Sequence, residues 1–223
     1  MNLKEKESFK RIQAINREEW LKNRKKGIGG SDCSAILGIN RFKTNVCLWE
    51  EKLGIREPKK FDTEKTKYGH DAEEQIRSLF ILDHPEYELF HDEFMTLENI
   101  EYSFMLASLD GELTDKAKNT KGILEIKTTE IMNKQMLEEW NGQIPSNYYL
   151  QCLHYLLVTN YEFVWLRAKI KFAWDSNKQE IRDYYFTREE VIEDLNYLKE
   201  KEIYFWNENI LKNKRPGLIL PGI

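Results

Sequence analysis

The stretch that decides the fold is GILEIKTT, residues 122–129. Its β-branched residues and the glycine at its start are typical of a β-strand. Because alternate side chains of a strand share a face, Glu125 and Lys127 point to one side, and Leu124 and Ile126 point to the other. The stretch therefore predicts a strand with one apolar face directed at a core and one face that carries a carboxylate and an ammonium group.

A second carboxylate is expected beside this strand. The preceding segment, TLENIEYSFMLASLDGELT at 96–114, is typical of strands and places Asp110 at a strand end. If these strands pair, Asp110, Glu125 and Lys127 converge. Such oxygen donors suit Mg²⁺ or Mn²⁺, and the backbone carbonyl of Ile126 is a natural additional ligand. The alternative is a surface Glu–Lys pair beside an aspartate in a turn, because this spacing also arises by chance.

This set of groups fits the hydrolysis of a phosphodiester. A divalent ion polarises the phosphate and lowers the pKa of a bound water. Lys127, placed beside the cation, can orient or deprotonate the attacking water. The two carboxylates and the lysine are therefore candidates for catalytic roles in a metal-dependent reaction.

Two further residues are candidates for the same site. Glu73 lies near a predicted helix start, from which a third carboxylate could join the metal site; Glu74 is a rival for that role, and an ordinary solvated carboxylate is the alternative. Gln151 and Tyr155 lie on one face of a predicted helix, four residues apart. A glutamine on an otherwise apolar face requires a buried polar partner, such as Lys127 or the substrate backbone, unless it lies at a surface or an interface.

The order of the elements predicts a mixed α/β fold. We predict helices over residues 3–25, 69–82, 146–158 and 188–213, a loop over 54–67, and further strands over 161–174 and 179–187. Helices, then three strands, a helix, two strands and a helix indicate a mixed sheet flanked by helices. We expect a single domain over 1–223, in which a basic helical region at about 1–60 packs on the core.

The composition excludes several classes of protein. Of the 223 residues, 41% are hydrophobic and 13% are aromatic, with 11 Gly and 5 Pro, so collagen-like and disordered chains are excluded. There is no apolar run of membrane-spanning length and no secretory signal at the N-terminus. Cys33, Cys47 and Cys152 are too few for a disulfide framework or a four-thiolate metal site. We therefore expect a soluble protein of a reducing cytoplasm.

The net charge of −4 is spread unevenly. Residues 1–60 hold 15 Lys and Arg and 8 Asp and Glu, a local charge of +7, whereas the remaining 163 residues carry a charge of −11. A basic first quarter is typical either of solvated helix faces or of a surface that contacts a polyanion. The acidic remainder would suit metal-binding carboxylates.

Five motifs occur in a fixed order along roughly residues 20–160. They are GIGGSDCSAILG (27–38, preceded by Arg24), YGHDAE (68–73), LDG (109–111), LEIKT (124–128) and QCLHY (151–155). Together they resemble the YqaJ-type, lambda exonuclease-like viral recombinase family of PD-(D/E)xK nucleases. The departures are Leu109 at the first position of the PD pair and His70 inside the second motif. The C-terminal third carries no matching motif.

The resemblance implies a Mg²⁺-dependent exonuclease. Such an enzyme degrades one strand of linear duplex DNA from an end, 5′ to 3′, and leaves 3′ single-stranded overhangs for phage-type recombination. By this resemblance Asp110 and Glu125 bind the metal, Lys127 is the catalytic lysine, and Glu73 and Gln151 assist. A single-strand annealing recombinase would be the partner, in the cytoplasm of a phage host, and a ring such as a trimer would encircle the product DNA.

The resemblance also implies that Arg24 and Ser31 hold the 5′-terminal phosphate. Ser31 follows Gly29 and Gly30 at a predicted helix start, where free N–H groups and the helix dipole favour an anion. Arg24 can add a bidentate contact. Alternatively, Ser31 or Asp32 caps the helix, a role that for Ser31 is compatible with phosphate binding.

Three other functions stay open at this point. A structure- or sequence-specific endonuclease on the same scaffold would cut closed circles, which an end-dependent exonuclease would leave intact. A catalytically silent DNA-binding or assembly protein would have no need of a converging Asp110, Glu125 and Lys127. An RNA nuclease is disfavoured by the resemblance alone.

Overall fold

The computed structural model of the protein describes residues 8–58 and 64–220. The strands in these ranges are β1 (Phe9–Gln13), β2 (Ile28–Gly29), β3 (Tyr87–Phe90), β4 (Met95–Asn99), β5 (Met105–Ala107), β6 (Gly111–Asp115), β7 (Lys121–Ile131), β8 (Phe163–Phe172) and β9 (Asp175–Thr187). The helices are α1 (Arg17–Arg24), α2 (Cys33–Ile36), α3 (Asn45–Lys52), α4 (Glu64–Asp83), α5 (Lys134–Glu138), α6 (Ser146–Thr159) and α7 (Ile192–Tyr204). A 3₁₀ turn, Gly30–Asp32, precedes α2, and a π-helical turn, Phe205–Ile210, continues α7.

The strands form two mixed sheets. The first has the order β1-β4-β5-β2 and the second the order β3-β6-β7-β8-β9. In the second sheet β7 runs parallel to β8 along its length from Gly122 onwards, and α6 lies in the crossover that such a pairing requires. The antiparallel partner on the other side, β6, ends its pairing at Gly111 opposite Leu124. The edge of β7 beyond Leu124 therefore lacks a strand partner on the β6 side.

Helices α4 and α6 cover opposite faces of β7. Leu124 and Ile126 pack with Ile76 and Phe80 of α4 in one hydrophobic cluster. The larger cluster lies on the other side and includes Leu153 of α6. The alternation predicted for this strand is thus confirmed, because its apolar face is buried under α4 and its polar face is turned towards α6.

Most predicted elements are confirmed, with small changes of boundary. The strand predicted at 122–129 is β7, the helix predicted at 146–158 is α6, and α4 begins at Glu64, before the predicted start at residue 69. The loop predicted over 54–67 is correspondingly shorter, and its residues 59–63 lie outside the described ranges. Among the described helices, none combines the length and the apolar character that crossing a bilayer requires.

The helix predicted over residues 3–25 is wrong in its first half. Phe9–Gln13 forms β1, which pairs antiparallel with β4 and buries Phe9, while residues 1–7 lie outside the described part of the chain. Helix α1 starts only after Asn16, whose side chain accepts a hydrogen bond from the Glu19 N–H over 3.0 Å. A tertiary strand partner has therefore overridden the local helical pattern.

Three further differences concern the sheets. The strands divide between two sheets instead of one. Strand β3, which pairs with β6, was not predicted. Asp110 does not end a strand but directly precedes β6, so it lies where the β6–β7 ladder stops. This last shift decides the geometry of the polar site.

Candidate active site

The Asp110 side chain bonds to β7 just beyond the point where strand pairing between β6 and β7 ends. Its Oδ2 accepts a hydrogen bond of 2.7 Å from the backbone N–H of Ile126. The N–H and the C=O of a strand residue point the same way, so the Ile126 carbonyl is also directed at the Asp110 side of β7. The structure thus brings together the Asp110 carboxylate and the Ile126 carbonyl, as predicted for a metal site.

Glu125 is the buried centre of the site. It is only 1% exposed, and its Oε1 accepts hydrogen bonds from Lys127 Nζ and, over 2.7 Å, from Gln151 Nε2. Its Oε2 is buried and has no hydrogen-bond partner among the described residues. A buried oxygen left without a donor is costly. This atom is therefore placed to receive a ligand from outside the chain.

A third carboxylate flanks this pair. Glu73 is half-buried on α4, whereas Glu74 is exposed, so Glu73 is the one that faces the site. Burial and the charge of Asp110 raise the pKa of Glu73 to about 7. Burial and the same aspartate raise the pKa of Glu125 to about 8. The three carboxylates repel one another, and a bound cation would reduce this repulsion.

The donor set fits a hard divalent cation. Asp110, Glu125 and the Ile126 carbonyl offer oxygen atoms only, as Mg²⁺ and Mn²⁺ prefer. Within the described residues, the carboxylates of Glu73, Asp110 and Glu125 do not all come within 4.8 Å of one another. Mg²⁺ usually keeps several waters and binds one or two carboxylates, so this open arrangement suits it. Glu73 would flank such a cation and would not close a cage around it.

Lys127 lies on the same face as Glu125, as the alternation predicted. Its ammonium group contacts Glu125 Oε1 and lies 5.2 Å from the ring centroid of Tyr148. Burial opposes its charge, but the Glu125 and Asp110 carboxylates outweigh this and raise the pKa of Lys127. The raised pKa favours Lys127 as a charged hydrogen-bond donor in this arrangement.

Gln151 faces the site from α6, as predicted, but its partner is Glu125 and not Lys127. Its amide nitrogen also lies 2.9 Å from the Tyr155 hydroxyl. Gly30 fits closely against this pair, because a Cβ there would come within 2.7 Å of the Gln151 side chain and 2.8 Å of the Tyr155 ring. The glycine-rich segment therefore packs directly on the site.

The predicted phosphate-binding residues lie on the Tyr155 side of the site. Arg24 ends α1, its guanidinium lies 4.5 Å from the Trp20 ring centroid, and its charge acts on Tyr155. Ser31 is exposed in the 3₁₀ turn that follows Gly30. Neither side chain is shown to bind a phosphate, so this role stays a prediction.

The prediction that Ser31 or Asp32 is the N-cap of the following helix is confirmed for Asp32, which is the N-cap residue of α2. Its side chain, however, makes no capping hydrogen bond to that helix. Its Oδ2 instead accepts from the Gly29 N–H over 3.1 Å and pairs with Lys52 over 2.7 Å. Asp32 therefore folds the glycine-rich turn back on itself and leaves the Ser31 side chain exposed.

Sequence reasoning missed Arg77. Its Nη1 donates to the backbone carbonyl of Asp110 over 3.3 Å and so ties α4 to the start of β6. The spacing of Glu73 and Arg77, four residues apart on one helix, is the signal that could have identified it. Both side chains act on the same aspartate.

A second buried polar cluster lies behind α6. Cys33, His154 and Glu202 are fully buried, and their ligand atoms lie within 4.8 Å of one another. His154 Nδ1 lies 2.9 and 3.0 Å from the two Glu202 oxygens, Cys33 Sγ lies 3.1 Å from Glu202 Oε1, and His154 Nε2 donates to the Leu106 carbonyl over 2.9 Å. Because these contacts already satisfy each group, the cluster is a hydrogen-bonded anchor between α2, α6 and α7.

The sequence matches the family model of the YqaJ-like viral recombinase domain over residues 19–162. It is also 33% identical, over 224 aligned residues, to the protein YqaJ of Bacillus subtilis strain 168. That alignment takes in 98% of this chain and 64% of the relative. The chain therefore spans less than two thirds of the length of this relative.

Two solved structures share the fold. One is an alkaline exonuclease, LHK-Exo, from Laribacter hongkongensis, with a TM-score of 0.64 and 16% identity over 89% of this chain and 96% of that one. The other is a phage related exonuclease from Haemophilus somnus 129PT, with a TM-score of 0.55 and 14% identity over 84% and 96%. The predicted fold class, a mixed α/β nuclease fold flanked by helices, is confirmed by these similarities. With its motifs in order on this fold, the chain belongs to the YqaJ-like viral recombinase family.

Proposed function

We propose that the protein is a metal-dependent DNA exonuclease that degrades one strand of linear duplex DNA from an end, 5′ to 3′, and leaves 3′ single-stranded overhangs. The observation that carries this proposal is the unpartnered, buried Oε2 of Glu125 beside Asp110 and Lys127. Family membership and the fold shared with two exonucleases support DNA as the substrate. The 5′ to 3′ direction rests on the family resemblance.

The residues of the site divide the chemistry between them. Asp110, Glu125 and the Ile126 carbonyl would hold Mg²⁺ or Mn²⁺, which when bound polarises a phosphate and lowers the pKa of a bound water. Gln151 donates to Oε1 of Glu125, so that Oε2 is the oxygen without a donor among the described residues. Lys127 supplies a positive charge and a hydrogen-bond donor to the phosphate or to the attacking water.

Glu73 and Arg77 complete the site from α4. The Glu73 carboxylate is placed to accept a proton from the attacking water or to bind a water held by the cation. Arg77 holds the Asp110 backbone and thereby positions its carboxylate. Arg24 and Ser31 are proposed to hold the 5′-terminal phosphate on the Tyr155 side.

The wider biological role that we propose rests on the family resemblance. A 3′ overhang is a substrate for a single-strand annealing recombinase, which we propose as the partner. We also propose that copies of the chain form a closed ring, such as a trimer, around the product DNA, and that the enzyme works in the cytoplasm of a phage host. We also propose that residues 1–223 form a single domain.

The decisive experiment compares linear 5′-phosphorylated duplex DNA with closed circular duplex, each with Mg²⁺ and with EDTA. We expect Mg²⁺-dependent loss of the linear DNA while the circles stay intact. Cleavage of circles would indicate an endonuclease, and no cleavage of either would indicate a binding protein. The variant Asp110→Asn keeps an acceptor for the Ile126 N–H but removes the charge, so it controls for contaminating nucleases.

The phosphate pocket has its own test. Arg24→Ala should reduce the preference for 5′-phosphate over 5′-hydroxyl ends by roughly 10- to 100-fold, since a hydrogen bond to a charged group contributes about 1.5–3 kcal/mol. Initial rates on the two substrates measure this preference. Arg17→Ala, an exposed position on the same helix, is the matched control. If the parent protein treats both ends alike, Arg24 and Ser31 do not bind a terminal phosphate.

A further inference from the structure

Helix α1 carries Arg24 but is weakly fixed by packing. None of its eight residues is buried, and in proteins most of the stability of a helix comes from the packing of its apolar face. Its start is capped by Asn16, whose side chain accepts a hydrogen bond from the Glu19 N–H. Packing of the helix alone therefore does little to orient Arg24, which lies in its last turn.

Trp20 supplies a more specific contact. It lies four residues before Arg24, so the two side chains share a face of α1. The Arg24 guanidinium lies 4.5 Å from the centroid of the Trp20 ring, and Arg24 forms no hydrogen bond or ion pair with another described residue. A guanidinium is attracted to the face of an indole ring, and its N–H donors stay available to a planar or tetrahedral anion.

The Trp20 ring is itself tied to the segment between β5 and β6. Its Nε1 donates to Ser108 Oγ over 3.1 Å, and Ser108 lies two residues before Asp110. The ring also packs against Phe94, with 6.4 Å between the two ring centroids. Trp20 therefore connects the helix that carries Arg24 to the segment that carries Asp110.

We propose that Trp20 is a positioning residue that orients Arg24 for the 5′-terminal phosphate of the DNA and fixes it relative to Asp110. The indole ring holds the guanidinium in place before DNA arrives, so that less conformational entropy is lost when the phosphate binds. The hydrogen bond to Ser108 holds the ring. This inference rests on the proposed function, because it specifies how the phosphate pocket of that site is held in position.

The test measures binding of two labelled linear duplexes, one with 5′-phosphate and one with 5′-hydroxyl ends, in EDTA and therefore without cleavage. The phosphate preference is the ratio of the two affinities. Trp20→Leu keeps an apolar side chain but removes the ring, and it should lower the preference by roughly five- to thirtyfold, the range expected when a partly desolvated cation–π contact is lost. Trp20→Phe keeps a ring face and should lower it by no more than about threefold.

A double-mutant cycle tests whether Trp20 acts through Arg24. The Trp20→Leu/Arg24→Ala variant should show the same preference as Arg24→Ala alone, because a positioning residue has no effect once the group that it positions is gone. Trp174→Leu is the matched control, since it makes the same change at a residue that is 55% exposed in the turn between β8 and β9. It should keep the preference of the parent.

The outcomes separate this inference from the proposed function. A parent-like preference in Trp20→Leu would overturn the inference, even if Arg24→Ala loses the preference and the parent cleaves linear DNA. Equal losses of affinity for the two duplexes, or additive losses in the double variant, would also overturn it, because they would show a general structural role for Trp20.

The parent protein supplies the remaining comparison. A parent that prefers 5′-phosphate ends through Trp20 and Arg24 but never cleaves DNA would support the inference and overturn the nuclease. A parent that cleaves linear DNA and binds both ends alike would overturn the phosphate pocket and the role of Trp20 with it, while the nuclease would stand.

Discussion

Two clusters, each with a buried glutamate, lie on opposite sides of helix α6 and differ in how the glutamate is bonded. On one side Glu125 is held by Gln151 and Lys127 at a single oxygen, and its other oxygen has no partner among the described residues. On the other side both oxygens of Glu202 lie at hydrogen-bond distance from His154. Both glutamates are almost entirely shielded from water.

From this difference we infer which of the two buried carboxylates takes part in the proposed chemistry. A buried carboxylate whose oxygens all have hydrogen-bond partners is satisfied within the protein, and its hydrogen bonds hold the helices together. A carboxylate that is buried, repelled by its neighbours and left with a free oxygen is stable only because the fold positions it. We therefore propose that Glu125 marks the reactive side of α6 and that Glu202 marks the structural side.

The largest effect should come from Lys127. We expect Lys127→Ala to reduce Mg²⁺-dependent cleavage by about 10³-fold, because a positioned charge next to the reacting group is lost. Binding of DNA in EDTA should stay within a few-fold of the parent. Lys121→Ala, on the same strand but outside the site, is the control for both measurements. Parent-like cleavage by Lys127→Ala would show that the Glu125 side of α6 is not the reactive one.

The structural side predicts a large loss of stability instead. Glu202→Ala leaves His154 and Cys33 without their partner, and we expect the free energy of unfolding in urea to fall by about 3–5 kcal/mol. Glu208→Ala removes an exposed ion pair with Lys212 and should change stability by less than about 0.5 kcal/mol.

Activity of the folded variant sharpens this test. At low temperature, where Glu202→Ala is folded, its cleavage rate should fall far less than that of Lys127→Ala. If Glu202→Ala lost activity while keeping the stability of the parent, the assignment of the two sides would be reversed.

A smaller effect links metal to pH. Burial and the charge of Asp110 raise the pKa of Glu73 to about 7 and that of Glu125 to about 8, above the ordinary carboxylate value of 4.5. The folded, metal-free protein therefore binds more protons than the unfolded chain between about pH 4.5 and pH 8, and its stability falls as pH rises through this window. Bound Mg²⁺ should reduce the repulsion between the Glu73, Asp110 and Glu125 carboxylates.

The measurement is the rise in melting temperature on adding Mg²⁺ at pH 6 and at pH 8.5. We expect a gain at pH 8.5 that is larger by an equivalent of about 1–2 kcal/mol. Glu125→Gln should remove most of this difference, whereas Glu202→Gln should retain it. Equal gains at both pH values in the parent would contradict a metal site built on Glu125.

Local patterns predicted the reactive side well. The alternation around Glu125 and Lys127 fixed their common face, and the four-residue spacing placed Gln151 with Tyr155. No local pattern could predict the direction of the Ile126 backbone or choose Glu73 over Glu74. Both depend on how α4 packs in the folded protein. Asp110 was placed correctly beside Glu125, although at the start of β6.

The structural side was out of reach of the sequence. His154 and Glu202 are separated by the end of α6, the whole of β8 and β9, and most of α7, and each residue alone is typical of an ordinary helix. Only the packing of α7 on α6 brings them together. In the same way, Phe9 looks helical until its pairing with β4 is known.

The anchor of α6 also sets the order in which the parts of the site become available during synthesis. Chains are made from the N-terminus, so Glu73, Asp110 and Glu125 leave the ribosome well before Glu202. Until α7 arrives, the helix that carries Gln151 lacks its fastening to the rest of the fold. A nascent chain therefore holds its carboxylates before Glu202 has anchored the helix that carries Gln151.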